Sequence, residues 1–491
     1  MERRIFGIET EFGCLVRDRD LGTPEEVVDL VRDHAFYRER LGVIDLHARD
    51  YAFEPARAGG FLRNGGRLYV DAVGSHEEYA TPECTDLLDL VAHERAGRML
   101  LQSLLESAGI AEAASFHNNA IDHFGGHTFG SHENYLIEVD EHSFAPALAR
   151  LLPFLVTRQI FAGSGRVGGH RLTRPSSRAN VMMLTEHEAD YVWVSNFYGV
   201  ELDKSVDFQL SQRADHIVRT ISSRVRFNRA IINPKWDSFY NYANLHRLHI
   251  LFGESNMSEY ATWLKVGTTC IVLHLVEEGI APEGMELAEP LDALRWVSRD
   301  PRMRWIVQLL DGRTIGAVDL HRAYLDAAHG RLRGRDEQLD AVMVEWERTL
   351  NDLERDPLST SDRLDWSAKR SLYERYMAET GAGWHDDALQ SLDLEYHNTD
   401  PAVSLAAGLE DAGQLRRLLT DDRVRDAMQR PPENTRAFAR GLVVDRLLAS
   451  PGARYVIDWD AIVLDRNRVL EMRNPFHTYE KEALRLCASL L

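Results

Sequence analysis

The start of the chain alternates between acidic and apolar side chains. Glu9 and Glu11 fall on one side of the alternation, whereas Phe6, Ile8 and Phe12 fall on the other. Successive side chains of a β-strand point to opposite faces of its sheet. The pattern therefore predicts a strand with one face that carries carboxylates.

A second alternating segment spans residues 61–71. Arg67, Tyr69 and Asp71 share one side of it, and Leu68 and Val70 share the other. The same periodicity argument predicts another strand here, with three polar side chains on one face.

Longer segments with apolar residues at helical spacing predict α-helices over residues 85–110, 148–160, 262–278 and 337–354. Thr85 is the predicted N-cap of the first helix, and Gly109 is its predicted C-terminal stop. Loop-like or linker composition marks residues 38–60, 380–400 and 421–436.

The mixture of strands and runs of helices favours an α+β fold over a regular alternation of strand and helix. The expected division is a large domain over residues 1–415 and a small C-terminal domain over residues 416–491.

Composition and charge exclude several classes of protein. The chain has 491 residues, 44% of them hydrophobic, and a formal net charge of −20. This charge argues against general nucleic-acid binding, which needs a basic surface. The residues before Glu9 are too charged for a signal peptide, and residues 262–279 are too polar to span a bilayer. Four scattered cysteines fit a reducing cytoplasm.

The polar faces of the two predicted strands suggest chemistry. Neighbouring carboxylates such as Glu9 and Glu11 repel each other unless a cation neutralises them, and hard oxygen ligands suit Mg²⁺ beside a nucleotide's phosphates. Arg67 offers a phosphate-pairing guanidinium, and Asp71 offers a base. The alternative is a solvated strand edge with ordinary ion pairs.

Two further patterns have competing interpretations. Residues 163–168 match the G-x-G-x-x-G pattern, but the strand–turn–helix context of a dinucleotide fold is missing. Residues 142–185 contain no acidic residue and six arginines. In an acidic protein this predicts a groove for an anionic ligand or an acidic peptide; the alternative is a set of solvated arginines.

Several phrases together resemble the Pup ligase and Pup deamidase/depupylase family. They occur in the family's order along nearly the whole chain: GIETEFG at 7–13, RLYVD at 67–71, SHEEYATPEC at 75–84, HENYL at 132–136, QLSQR at 209–213 and PPENTR at 431–436. The resemblance implies a carboxylate–amine ligase fold like that of glutamine synthetase, with a curved, antiparallel-rich sheet packed by helices and a small C-terminal domain that contributes to the nucleotide site.

The resemblance also implies roles for individual residues. Asp71 would be the catalytic aspartate. The other implied roles are Mg²⁺ ligation by Glu9, Tyr69 and Glu78, ATP contacts by Arg67, Thr81 and Trp459, and further active-site places for Glu11 and His132. From the arginine-rich region, Arg158, Arg166 and Arg213 are the candidates for binding the modifier.

The implied function is ATP- and Mg²⁺-dependent ligation of an acidic, disordered Pup-like modifier to substrate lysines, with no role for nucleic acid or membrane. Two alternatives stay open at this point: a depupylase or deamidase, and a non-catalytic homologue that binds the modifier. Departures from the family pattern at residues 231–239, an extra Ala72 and an insertion-like segment at 181–204 predict a divergent member.

Overall fold

The structure is a computed structural model that describes residues 4–49, 52–71, 76–123, 127–173, 199–222, 229–235, 245–465, 467–488 and 490. The chain divides into two compact units. The sheet unit comprises Glu2–Asn118, Glu133–Tyr135 and Leu419–Leu491, and the helical unit contains Asn119–His132 and Leu136–Leu418. The domain boundary expected at residue 416 stays a prediction.

The strands of the described residues are β1 Phe6–Val16, β2 Gly42–Arg49, β3 Ala52–Leu62, β4 Arg67–Val70, β5 Glu77–Ala80, β6 Ala114–His117, β7 Ser131–Glu138, β8 Arg166–Thr173, β9 Gly199–Gln209, β10 Arg219–Ile221, β11 Ala230–Lys235, β12 Leu245–Ile250, β13 Ile306–Gln308, β14 Thr314–Gly316, β15 Tyr455–Ile457, β16 Ala461–Leu464 and β17 Arg468–Glu471.

The α-helices of the same residues are α1 Pro24–Asp33, α2 Leu87–Ser107, α3 Glu141–Thr157, α4 Gln159–Ala162, α5 Glu259–Glu277, α6 Pro290–Arg299, α7 Ala317–Arg331, α8 Glu337–Arg355, α9 Asp365–Thr380, α10 Asp387–Tyr396, α11 Leu405–Asp411, α12 Asp421–Gln429, α13 Ala437–Leu448 and α14 Glu480–Cys487. Strands mixed with helices confirm the α+β prediction.

The sheet unit is built on the strand order β7-β1-β5-β4-β3-β2, with β6 also paired to β1. One face of this sheet is apolar: Phe12, Leu68 and Tyr79 join a buried cluster with residues of α1 and α2. The three C-terminal strands form their own sheet, β15-β16-β17, and α13 contacts β2 and β3. The apolar face fixes the register, so Glu11 of β1, Tyr69 of β4 and Glu78 of β5 lie on the opposite face.

The helical unit carries the β8–β9 hairpin, the β10-β11-β12 strands and the β13–β14 hairpin. Within it α8 packs against α5 and α7. Helix α5 is almost entirely buried, as expected of a core helix. No helix in the described part of the chain is long and apolar enough to cross a membrane.

Most of the predicted elements are present, with specific corrections. The N-cap of α2 is Asp86, not Thr85, because the Asp86 carboxylate accepts the N–H groups of Leu88 and Asp89 at 2.9 and 3.0 Å. Gly109 ends this helix as predicted, at a φ of 73°.

Residues 61–71 do not form a single strand. The chain turns after Leu62, where its N–H donates to the Gly66 carbonyl at 2.9 Å, and Gly65 adopts a φ of 78°. The glycines permit this turn, so β3 and β4 form a hairpin.

The predicted loops also contain regular structure. Residues 38–60 hold β2 and most of β3, residues 380–400 hold α10, and residues 421–436 hold α12. Of the insertion-like segment 181–204, residues 181–198 lie outside the described residues, as do Ala72 and residues 236–239 of the divergent segment.

Candidate nucleotide and metal site

Three adjacent strands of the sheet unit bring acidic and phenolic side chains into one row. Glu11 on β1 and Tyr69 on β4 are both direct cross-strand partners of Glu78 on β5. In the neighbouring row, Glu9 and Arg67 both pair with Ala80. Directly opposed side chains in antiparallel strands approach within about 5 Å at Cβ, so this face concentrates oxygen ligands.

Burial and repulsion control the titration of the row. Burial raises the pKa of Glu78 well above its ordinary value, and the charges of Glu9, Glu11 and Asp71 raise this pKa further. Burial also raises the pKa of Tyr69, followed by the charges of Glu78 and Glu9. Tyr69 is hydrogen-bonded to Glu78. The cluster is therefore short of positive charge.

Neighbouring polar side chains orient the two carboxylates of β1. The Asn134 amide donates to Glu9 Oε1 at 3.0 Å, and His76 Nδ1 lies 3.0 Å from Glu11 Oε2. Sequence reasoning did not assign either residue. His76 and Asn134 lie inside the family phrases at 75–84 and 132–136, and this position is the sequence signal that could have identified them.

Arg67 is held beside this row by three contacts. Its guanidinium pairs with Asp45 of β2 and lies 4.6 Å from the centre of the Tyr69 ring and 5.5 Å from that of Phe61. Asp45 was not predicted, because it lies in the segment expected to be a loop. The pairing keeps one cationic group at the edge of the acidic row.

Asp71 lies directly after β4, two residues beyond Tyr69. Its N–H donates to the His76 carbonyl at 2.9 Å, and its carboxylate is close enough to raise the pKa of Glu78. The structure thus brings the predicted catalytic aspartate to the predicted metal ligands.

Thr81 and Trp459 are the other two predicted nucleotide contacts. The Thr81 hydroxyl is buried and accepts the Ile8 N–H at 3.0 Å. Trp459 is half-buried in the turn between β15 and β16, with its ring edge-to-face against Phe61 at 5.1 Å. The Phe61 ring also contacts Arg67, so it connects Trp459 to the arginine that is predicted to pair with phosphate.

The remaining predicted residues belong to the helical unit. The His132 ring packs edge-to-face on the His249 ring at 5.0 Å. Arg158, Arg166 and Arg213 are 2%, 1% and 5% exposed. Arg158 donates to the Thr269 hydroxyl at 2.8 Å, and Arg166 lies 3.9 Å from Asp215. Their roles in binding a partner stay predictions.

The donor set of the acidic row fits a divalent cation. Glu9, Glu78 and Tyr69 offer hard oxygen ligands on rigid strands, and burial, followed by the charges of the neighbouring carboxylates, raises the pKa of Glu78. A bound cation would offset the repulsion among these carboxylates. On the β3 side, the cross-strand partner of Tyr69 is Gly59, whose φ is 150° and where a Cβ would lie 2.5 Å from the Tyr69 Cα.

Comparison with known proteins identifies the family. A family model described as Pup-ligase protein matches residues 4–463. Curated Pup–protein ligases from Paenarthrobacter aurescens (strain TC1) and Mycobacteroides abscessus are each 34% identical to the chain, with full coverage of both chains in each pair. The chain belongs to the Pup ligase family.

Solved Pup ligase structures share the fold. The structure of the complex between prokaryotic ubiquitin-like protein Pup and its ligase PafA superposes with a TM-score of 0.78 at 28% identity, covering 99% of this chain and 92% of that one. PafA in complex with ADP gives a TM-score of 0.73 at 29% identity, with coverages of 88% and 89%. The resemblance inferred from the sequence phrases is therefore confirmed for the family and the fold.

Proposed function

We propose that this protein joins the C-terminal glutamate side chain of a Pup-like modifier to substrate lysines, using ATP and Mg²⁺. The observation that carries the proposal is the polar row on β1, β4 and β5, with Arg67 and Asp71 at its margins. Membership of the Pup ligase family supports the same activity, since curated relatives carry the name Pup–protein ligase.

The metal ligands in this proposal are Glu9, Tyr69 and Glu78. Bound there, Mg²⁺ would supply positive charge to the phosphates of the nucleotide. The Asn134 amide keeps Glu9 oriented, and the Tyr69 hydrogen bond does the same for Glu78. The ADP complex of PafA supports nucleotide use by this fold.

The nucleotide contacts in this proposal are Arg67, Thr81 and Trp459. The Arg67 guanidinium donates to phosphate oxygens, for which its planar fork is suited. The Thr81 hydroxyl supplies a further polar contact, and the half-buried Trp459 ring offers a surface on which the nucleotide packs.

The reaction proceeds by two displacements. A modifier carboxylate oxygen attacks the γ-phosphorus of ATP, so an acyl phosphate forms and ADP leaves. The lysine amine then attacks the acyl carbon, the isopeptide bond forms and inorganic phosphate leaves. Asp71 accepts a proton from the lysine ammonium, which creates the neutral amine needed for attack.

The proposed partners are an acidic, disordered Pup-like modifier and lysine-bearing proteins. A solved complex of Pup with PafA supports this choice of modifier. Arg158, Arg166 and Arg213 remain the candidates for contact with it. We place the reaction in the cytoplasm, which agrees with four free thiols at Cys14, Cys84, Cys270 and Cys487.

The test is reconstitution with a Pup-like peptide ending in glutamate, Mg²⁺-ATP and a lysine-bearing acceptor. We expect an isopeptide product with stoichiometric release of ADP and phosphate, detected by mass spectrometry and phosphate assay. Omitting the acceptor lysine is the control for unproductive ATP hydrolysis. Cleavage of a preformed conjugate without net ATP consumption would support a depupylase, and peptide binding without turnover would support a non-catalytic homologue.

A further inference from the structure

Arg440 of α13 is a fully buried guanidinium packed against two aromatic rings. Its Cζ atom lies 4.8 Å from the centre of the Trp459 ring and 5.3 Å from that of Phe61. Its Nη1 also donates to the Trp459 carbonyl at 2.9 Å. Arg440 therefore contacts both the ring and the backbone of the residue that we propose to pack on the nucleotide.

The same guanidinium fixes the turn that leads into β4. Nε and Nη2 donate to the Gly65 carbonyl at 3.1 and 2.8 Å. Gly65 lies two residues before Arg67, and the Phe61 ring is shared by the guanidinium groups of Arg67 and Arg440. Arg440 is thus linked to a second proposed nucleotide contact through backbone and ring.

Glu83 holds Arg440 in this orientation. It pairs with Nη2, and its Oε1 accepts a further bond from Nη1 at 3.2 Å. Burial opposes the charge on Glu83, but Arg440 and then Arg436 lower the pKa of this carboxyl to about 2. The pair is therefore charged at neutral pH, and Glu83 stands two residues after Thr81 in the chain.

We propose that Arg440, anchored by Glu83, is the positioning residue that sets the orientation of Trp459 for adenine nucleotide binding. The inference rests on the proposed function of Trp459. A guanidinium placed over the ring and bonded to the backbone restricts the tryptophan before the nucleotide arrives, so less rotational freedom is lost on binding.

Arg436 provides a matched control for this role. It donates to the same Glu83 carboxylate at 2.7 Å and is also buried, and its Nη1 donates to the Met472 carbonyl at 3.0 Å. Removing either arginine leaves Glu83 with the other one. Arg436→Gln thus tests the loss of one buried ion pair while the contact of Arg440 with the Trp459 ring is kept.

The experiment measures ADP affinity by titration calorimetry for the full chain in Mg²⁺ buffer. We expect Arg440→Gln and Arg440→Lys each to weaken ADP binding about 10-fold, which corresponds to about 1.4 kcal/mol. The lysine keeps the charge beside Glu83 but loses the planar group over the Trp459 ring and the paired donors to Gly65. Arg436→Gln is expected to change the affinity less than about twofold, and circular dichroism verifies that each variant is folded.

A double-mutant cycle separates positioning from general destabilisation. In the Trp459→Ala background, Arg440→Gln is expected to produce almost no further loss of ADP affinity, because its effect is transmitted through the absent ring. Three results would each overturn this inference while leaving the proposed function standing. They are a full additional loss of ADP affinity in the Trp459→Ala background, unchanged ADP affinity in the folded Arg440 variants, and an equal loss of ADP affinity in Arg436→Gln. Absence of ADP binding by the unmodified protein would overturn the proposed function as well.

Discussion

Glu11 and Glu78 are direct cross-strand partners on the polar face of the sheet unit. Like charges placed opposite each other destabilise a sheet, and burial adds to the cost of ionising Glu78. This arrangement therefore lowers the stability of the protein when no cation is bound, but it brings together oxygen atoms that can coordinate one. The apolar face of the same strands, with Phe12 and Tyr79 in the core, holds the carboxylates together despite this repulsion.

Glu78→Gln tests directly whether this carboxylate lowers stability and binds Mg²⁺. The amide keeps the size of the side chain but removes the charge, so we expect a higher melting temperature than that of the unmodified protein when Mg²⁺ is absent. Adding Mg²⁺ at about 100 times its dissociation constant stabilises the unmodified protein by about 2.7 kcal/mol. Thermal denaturation with and without Mg²⁺ should show that the variant loses this gain.

Glu77→Gln is the matched control for that experiment. Glu77 is adjacent in the chain but lies on the other face, and it is fully buried, with neither carboxylate oxygen hydrogen-bonded. Its replacement removes a buried carboxyl without touching the proposed ligands. Retention of the Mg²⁺-dependent gain in Glu77→Gln, but not in Glu78→Gln, is the expected contrast. Equal loss in both variants would contradict the assignment of Glu78.

Asp71→Asn addresses the proposed base. The substitution preserves size and backbone contacts, including the bond from the Asp71 N–H to the His76 carbonyl. Loss of a general base lowers rates by about 10²- to 10⁴-fold, so we expect isopeptide formation to fall by this factor while ADP affinity is retained. Single-turnover assays with the Pup-like peptide measure the first quantity and calorimetry the second. Near-normal turnover would exclude Asp71 from proton transfer.

The sequence was sufficient to predict the polar face because its signal is local. Glu9, Glu11, Arg67, Tyr69 and Asp71 share faces through a two-residue period, and that period survives in the structure. This two-residue period does not determine which strands pair with each other in the sheet. The placement of Glu78 between β1 and β4 depends on long-range pairing and could be predicted only through family resemblance.

The features that the sequence did not predict have equally physical reasons. The alternation of residues 61–71 continues through a turn, because Gly65 and Gly66 contribute no side chain to contradict it. The burial of Arg158 and Arg166 also had no local signal, because arginine is usually exposed. The groove for an anionic ligand, inferred from the run without acidic residues, stays a prediction. The Asp215 carboxylate beside Arg166 lies nearly fifty residues later in the chain.

Gly97 in α2 makes the close packing behind the site possible. A Cβ there would lie 2.3 Å from a Tyr79 ring carbon, and Tyr79 is held by the Asn64 amide at 3.0 Å. Gly97→Ala should therefore destabilise the protein by about 1 to 3 kcal/mol, measured by urea denaturation. Gly408→Ala in α11 is the control, because a Cβ there has no heavy atom within 4 Å. That change should be neutral or stabilise by up to about 1 kcal/mol.

A buried histidine predicts how stability depends on pH. His321 is fully buried among the rings of Phe154, Phe161 and Trp346. Burial lowers the pKa of His321 from 6.5 to about 3. The folded protein therefore keeps this ring neutral at pH values where the unfolded chain takes up a proton. Stability that is fully present above pH 6.5 is lost as the pH falls toward 3, by about 1.4 kcal/mol per pH unit for one proton.

His321→Leu removes this titration and keeps a side chain of suitable character for the aromatic surroundings. The Thr157 hydroxyl loses its partner at His321 Nε2 but still donates to the Pro153 carbonyl at 2.7 Å. The substitution therefore does not leave this buried hydroxyl without a hydrogen bond. We expect the variant's free energy of unfolding to fall less steeply than that of the unmodified protein between pH 6.5 and pH 4, measured by urea denaturation at each pH. Parallel profiles would show that His321 already binds a proton in the folded protein.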